Sequence, residues 1–137
     1  PEFKEYAKQT IKNAQAMADE FMKRGYKIIS DGTDNHLFVI DMTSKEVTGK
    51  EAETIFDRIG VSVSRSTIPN DSNPPMNPSG VRLGTPAITT RGLKEAEVRK
   101  LAEWMDLAIQ NRENIETLED IKKEVEGVCR EFPVPGI

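Results

Sequence analysis

Between residues 3 and 24 the apolar side chains Phe3, Tyr6, Ala7, Ile11, Ala14, Met17, Ala18, Phe21 and Met22 recur every three or four positions, with no glycine or proline among them. That spacing predicts an amphipathic helix. Gly25 supplies a left-handed stop, and Tyr26-Lys27-Ile28-Ile29-Ser30 turns aromatic and β-branched, predicting a strand. Asp31-Gly32-Thr33-Asp34-Asn35 has turn chemistry. The run His36-Leu37-Phe38-Val39-Ile40-Asp41-Met42 is nearly continuously apolar, as expected of a strand covered on both faces, and should close an antiparallel hairpin with the first strand.

Thr48-Gly49-Lys50-Glu51 has the form of a capping box and predicts a short helix to Ile59, with Ala52, Ile55, Phe56 and Ile59 on one face and Gly60 as its stop. Val61-Ser62-Val63-Ser64 alternates like a half-buried strand. Four of the eight prolines fall between residues 69 and 78, which forbids helix or central strand there and predicts a long irregular loop, a kind of segment that often carries function. Residues 79–87 read as a short strand bracketed by glycines. Beyond Gly92 one helix carries Ala96, Val98, Leu101, Ala102, Met105, Ala108 and Ile109, and another runs from about Leu118 to Phe132 before Pro133 and Pro135 end it. The fold class is therefore α+β, a small mixed or antiparallel sheet covered on one face by helices.

Composition narrows the classes. The 137 residues carry 19 Lys plus Arg against 23 Asp plus Glu, a net charge of −4, so neither a basic nucleic-acid binder nor an acidic tail is indicated. No apolar run is long enough for a membrane span. The length suits one domain over residues 1–137. The single cysteine, Cys129, is spaced with Ile121, Val125 and Phe132 as a packed thiol, and a reducing cytoplasmic compartment is expected. The chain starts Pro1-Glu2-Phe3, without an initiator methionine, and enters a helix at once, so a piece of something longer is expected.

Arg82 is the strongest chemical candidate. Between Val81 and Leu83, and flanked by Gly80 and Gly84, its guanidinium should be largely desolvated and should need an anionic partner, for which a carboxylate matches its fork. That partner is either a ligand or an internal acid such as Asp41 or Asp57, and composition alone favours the internal pair. His36, the one histidine, follows Asp34 and Asn35 and reads as a structural donor rather than a base, and no Cys/His cluster has metal-ligand spacing. The lysines Lys4, Lys8, Lys12, Lys23, Lys50, Lys94, Lys100, Lys122 and Lys123 fall on or near polar helical faces, where none is desolvated enough to form a Schiff base. A Gly-rich phosphate loop and a Gly-x-Ser-x-Gly elbow are both absent.

Taken together, Thr33-Asp34-Asn35-His36-Leu37-Phe38-Val39, then Val47-Thr48-Gly49-Lys50-Glu51-Ala52, then Pro69-Asn70-Asp71, and above all Ser79-Gly80-Val81-Arg82-Leu83-Gly84-Thr85-Pro86-Ala87-Ile88-Thr89-Thr90-Arg91-Gly92 closely resemble the C-terminal domain of serine hydroxymethyltransferases. The likeness covers the chain from about Phe3 to Pro133. It implies the small domain of an aspartate-aminotransferase-type (fold type I) enzyme that uses pyridoxal phosphate to interconvert serine and glycine and passes one carbon to tetrahydrofolate. The cofactor lysine would lie in an upstream large domain, to which the helix over residues 1–25 would connect, with a homodimer or tetramer in the whole enzyme and the fragment inactive alone.

Carried over by position, Arg82 would hold the substrate α-carboxylate, and Pro74, Pro75 and Met76 would contact the folate. Two segments depart from the family. Ser64-Arg65-Ser66-Thr67 stands where many relatives have Asn-Lys-Asn-Thr, so that Ser66 replaces an Asn that contacts folate in bacterial members, and Pro74-Pro75-Met76 replaces the more usual Ser/Thr-Pro-Phe. A free-standing module that binds amino acids or folate without chemistry is the alternative, and a purely structural domain is a third.

Overall fold

The structure, a computed structural model, describes residues 2–29, 37–68, 71–74, 76–84 and 94–131. Along the chain come α1 (Glu2–Lys23), β1 (Lys27–Ile28), β2 (Leu37–Asp41), a 3-10 turn (Thr43–Lys45), α2 (Gly49–Arg58), β3 (Ser64–Ser66), β4 (Gly80–Gly84), α3 (Glu95–Gln110) and α4 (Ile115–Glu131). The strands form one four-stranded sheet in the order β1-β2-β4-β3, and every neighbouring pair is antiparallel. The expected β1–β2 hairpin is present, and the sheet is wholly antiparallel rather than mixed.

Local chemistry explains the element ends. Tyr26 N–H donates to the Phe21 carbonyl and Gly25 N–H to that of Met22, a Schellman closure of α1 with Gly25 at φ 90°. The same two bonds close α2, from Val61 to Phe56 and from Gly60 to Asp57. Val61, expected to begin a strand, is instead consumed by this closure and buried, so β3 starts three residues later at Ser64. At the front of α2 the Glu51 N–H donates to Thr48 Oγ1 at 3.2 Å while the Thr48 N–H donates to the Glu51 carboxylate at 3.1 Å, the reciprocal box read from the sequence. α4 begins at Ile115 rather than near Leu118, because Asn114 accepts the Thr117 N–H through its side chain and so caps the first turn.

Strand alternation sorts the sheet into two faces. Ile28, Ile40 and Val81 lie in one cross-strand row and Phe38 and Leu83 in another, all buried in a single apolar cluster with Met17, Phe21, Phe56 and Met105 from the helices. α1 packs on β1, β2 and α3, while α2 packs on β3, β4, α3 and α4. The intervening rows hold Val39, Arg82 and Ser64, and Lys27, Asp41, Gly80 and Ser66, on the face away from the helices.

One polar knot crosses the α1–α3 seam. Buried Asp106 accepts hydrogen bonds from the Tyr26 hydroxyl at 2.8 Å and Gln110 Nε2 at 2.7 Å, and Arg24 reaches Asp106, Glu20 and Glu103. Burial, and then the bond to Asp106, raise the Tyr26 pKa, so the hydroxyl stays protonated and donating. Tyr26→Phe should cost about 1–3 kcal/mol by leaving a buried carboxylate one donor short, although the ring still packs edge-on against Phe21 at 5.1 Å. Urea titration checks this, and an unchanged midpoint would contradict it.

Candidate functional site

β4 is an inner strand, hydrogen-bonded to β2 on one side and β3 on the other, so its backbone is fixed along its length. Val81 and Leu83 point into the core, and alternation therefore turns Arg82 to the opposite face. Arg82 is exposed there, not desolvated as its apolar neighbours suggest. Val39 and Ser64 sit directly opposite it on the two adjoining strands, and Ser66 lies on the same face one row along.

Neither internal acid pairs with the guanidinium. Asp41 turns its carboxylate back on its own chain, accepting the Thr43 N–H at 2.9 Å and hydroxyl at 2.6 Å, and Asp57 is exposed on α2. Among the described residues no hydrogen bond or ion pair engages Arg82. A planar five-donor group on a rigid strand, with its fork free, can take a carboxylate through two parallel bonds.

The proline-rich loop between β3 and β4 borders this face, and Asp71 organises its base. The carboxylate accepts the N–H groups of Ile68 (3.3 Å), Asn73 (2.9 Å) and Ser79 (2.9 Å) and the Ser79 hydroxyl (2.7 Å), while Asn73 Nδ2 donates to Ser79 Oγ at 2.9 Å. These donors, the Ser79 backbone first, hold Asp71 down at a pKa of about 2. The far side of the loop is tied to the start of α2, where Gly49 N–H donates to the Pro78 carbonyl at 2.6 Å and Lys50 N–H to Asn77 Oδ1 at 3.2 Å. Arg65 Nη1 donates to the Met76 carbonyl at 3.0 Å.

A group whose folded pKa is depressed stabilises above its unfolded pKa, about 3.9 for Asp, and loses that contribution as the pH falls through the folded value. The loop base should thus hold at pH 5 and loosen between about pH 4 and pH 2. Amide exchange at Asn73 and Ser79 across that range is the measurement, and protection independent of pH would contradict the assignment.

Of the other residues singled out in the sequence, Pro74 is exposed and Met76 is 85% exposed at the loop tip, while Ser66 is half-buried with its hydroxyl donating to the Thr67 carbonyl at 3.3 Å. Pro75, His36 and the Cys129 side chain lie outside the described residues. All eleven lysines are exposed or half-buried. Among the described residues no cluster of His, Cys, Asp or Glu could hold a metal ion, and no described helix is long and apolar enough to cross a membrane. Asp71 and Ser79 lie in motifs that carry the family resemblance, but neither they nor Asn73 and Asn77 had a role in shaping the loop that the sequence alone suggested. The signal was present in Asp71-x-Asn73, whose spacing lets a carboxylate take the N–H two residues on, but the long-range bond to Ser79 has no local mark.

Comparison with known proteins adds an identity to this geometry. The family described as serine hydroxymethyltransferase matches residues 1–105. A curated serine hydroxymethyltransferase from Halorhodospira halophila is 48% identical over 136 residues, which is 99% of this chain and 33% of that protein. The chain thus spans about a third of the length of the curated relative it matches.

Proposed function

Because the chain belongs to the serine hydroxymethyltransferase family, we propose that it is the C-terminal part of a pyridoxal-phosphate-dependent enzyme that interconverts serine and glycine with transfer of one carbon to tetrahydrofolate. In this proposal Arg82 binds the α-carboxylate of the amino acid, and the loop bearing Pro74, Pro75 and Met76, with Ser66 beside it, forms part of the folate site. The observation that carries the assignment is the exposed guanidinium of an inner strand, on the sheet face away from the helices and without a partner among the described residues. Two parallel charged hydrogen bonds fix the carboxylate and therefore the orientation of the remaining Cα substituents, which is the contribution of positioning to catalysis.

The cofactor needs a lysine whose ammonium is desolvated enough to lose its proton. None of the eleven lysines, all exposed or half-buried and none buried, fits that requirement, so no step through the cofactor is assigned to these residues. The proposal places the cofactor in the remaining two thirds of the enzyme, acting as a cytoplasmic dimer or tetramer.

Two measurements on the 137-residue chain test this. Incubation with pyridoxal phosphate, then borohydride and intact mass, should show a spread of substoichiometric adducts and no single stoichiometric lysine adduct. Calorimetric titration with glycine, serine and tetrahydrofolate should show no micromolar binding. A stoichiometric adduct would contradict the cofactor placement, and micromolar binding would favour a self-sufficient binding module instead.

A further inference from the structure

The tip of the loop between β3 and β4 is held differently from its base. Asp71 fixes the base, and Asn77 and Pro78 bond to the start of α2. Between them lie residues 74–76, of which two are prolines without an N–H, and the Met76 side chain is 85% exposed and so anchors nothing. Among the described residues the single side chain that hydrogen-bonds to this stretch is that of Arg65, whose Nη1 donates to the Met76 carbonyl at 3.0 Å. Its Nε sits 3.4 Å from Glu53 Oε1 on α2. One planar group thus bridges helix, edge strand and loop tip, using two edges of its fork.

We infer that Arg65 is a positioning residue: its guanidinium, oriented by Glu53, sets where Met76 is presented and thereby the affinity for the folate cosubstrate, an assignment that rests on the loop being part of the folate site. The ion pair itself is largely exposed, and such pairs contribute little to global stability. Its effect is therefore local. A lysine has one ammonium and cannot span the carboxylate and the carbonyl with a fixed fork. Arg65→Lys should restore part of the effect and not all of it.

The test uses the full-length enzyme, with Arg65→Ala, Arg65→Lys and, separately, Met76→Gly. Arg65→Ala should raise KM for tetrahydrofolate roughly ten-fold and leave kcat and KM for serine within about two-fold, with Arg65→Lys between it and wild type. Exchange of the Asn77 amide, which donates to the Pro74 carbonyl at 3.0 Å, measured without folate, should speed up at least about ten-fold in Arg65→Ala, with other amides unmoved. Unchanged exchange at this amide would overturn the inference whatever the kinetics, and so would a fall in kcat with KM for folate unmoved. If Met76→Gly raises KM for folate and Arg65→Ala does not, Arg65 is not the positioning residue although the loop does serve folate. If exchange responds to Arg65→Ala while neither variant alters KM for folate, the folate reading of the loop has failed, and with it the link from tip placement to affinity.

Discussion

In the full-length enzyme, Arg82→Lys should lower kcat/KM for serine by on the order of 10²-fold, about 3 kcal/mol, while the thermal midpoint stays within roughly 2 °C of wild type. The two halves of that expectation come from the same geometry. Arg82 faces away from the core, and no described residue bonds to it, so little of the fold depends on it. An ammonium at this position keeps the charge and loses the second parallel hydrogen bond, which is the part that fixes carboxylate orientation. Arg82→Ala should lose more activity and still fold. Unchanged kcat/KM in Arg82→Lys would sink the carboxylate assignment. A large drop in thermal midpoint would show instead that the guanidinium is structural.

Gly49→Ala should have the largest effect on stability. Gly49 opens α2 against the loop and β4, and a Cβ there would lie 2.6 Å from the Gly80 carbonyl oxygen and 2.7 Å from that of Pro78. Both are backbone atoms, so no rotamer relieves the clash, and the first turn of α2 must swing outward. That movement breaks the Gly49-to-Pro78 and Lys50-to-Asn77 bonds that tie the loop to the helix. The expected loss is about 3 kcal/mol, or roughly 10 °C in thermal midpoint for a chain of this size. Circular dichroism melts measure it, and a midpoint within about 2 °C of wild type would contradict the close approach. Neither capping-box residue, Thr48 or Glu51, is altered by the substitution, so the loss should report chiefly the Gly49 contact.

What could be read in advance was what local chemistry controls. α1 is written in its 3.6-residue spacing, both Schellman closures in Gly25 and Gly60, and the start of α2 in Thr48 and Glu51. What could not be read depends on partners distant in sequence. Val61-Ser62-Val63-Ser64 alternates like a strand, yet the paired segment is the one that lies opposite Arg82, Val81 and Gly80, and that register is set by β4. The antiparallel direction throughout the sheet follows from β4 entering between β2 and β3, which no window of ten residues records.

The candidate site shows the same division. Arg82 was identifiable by residue type and setting, while its exposure required knowing which face the helices cover. Asp41, a plausible internal partner on composition, was disqualified by its own near neighbour, since Thr43 two residues on takes the carboxylate.

The strand order β1-β2-β4-β3 also sets a timetable. β4 is the last of the four strands to leave the ribosome, and it is the one that both β2 and β3 lean on, because these two never pair with each other. Until residue 84 has been made, the chain owns a hairpin and an orphan strand separated by a vacant lane. The segment that carries the proposed substrate-binding arginine is therefore also the strand that joins these pieces into one sheet.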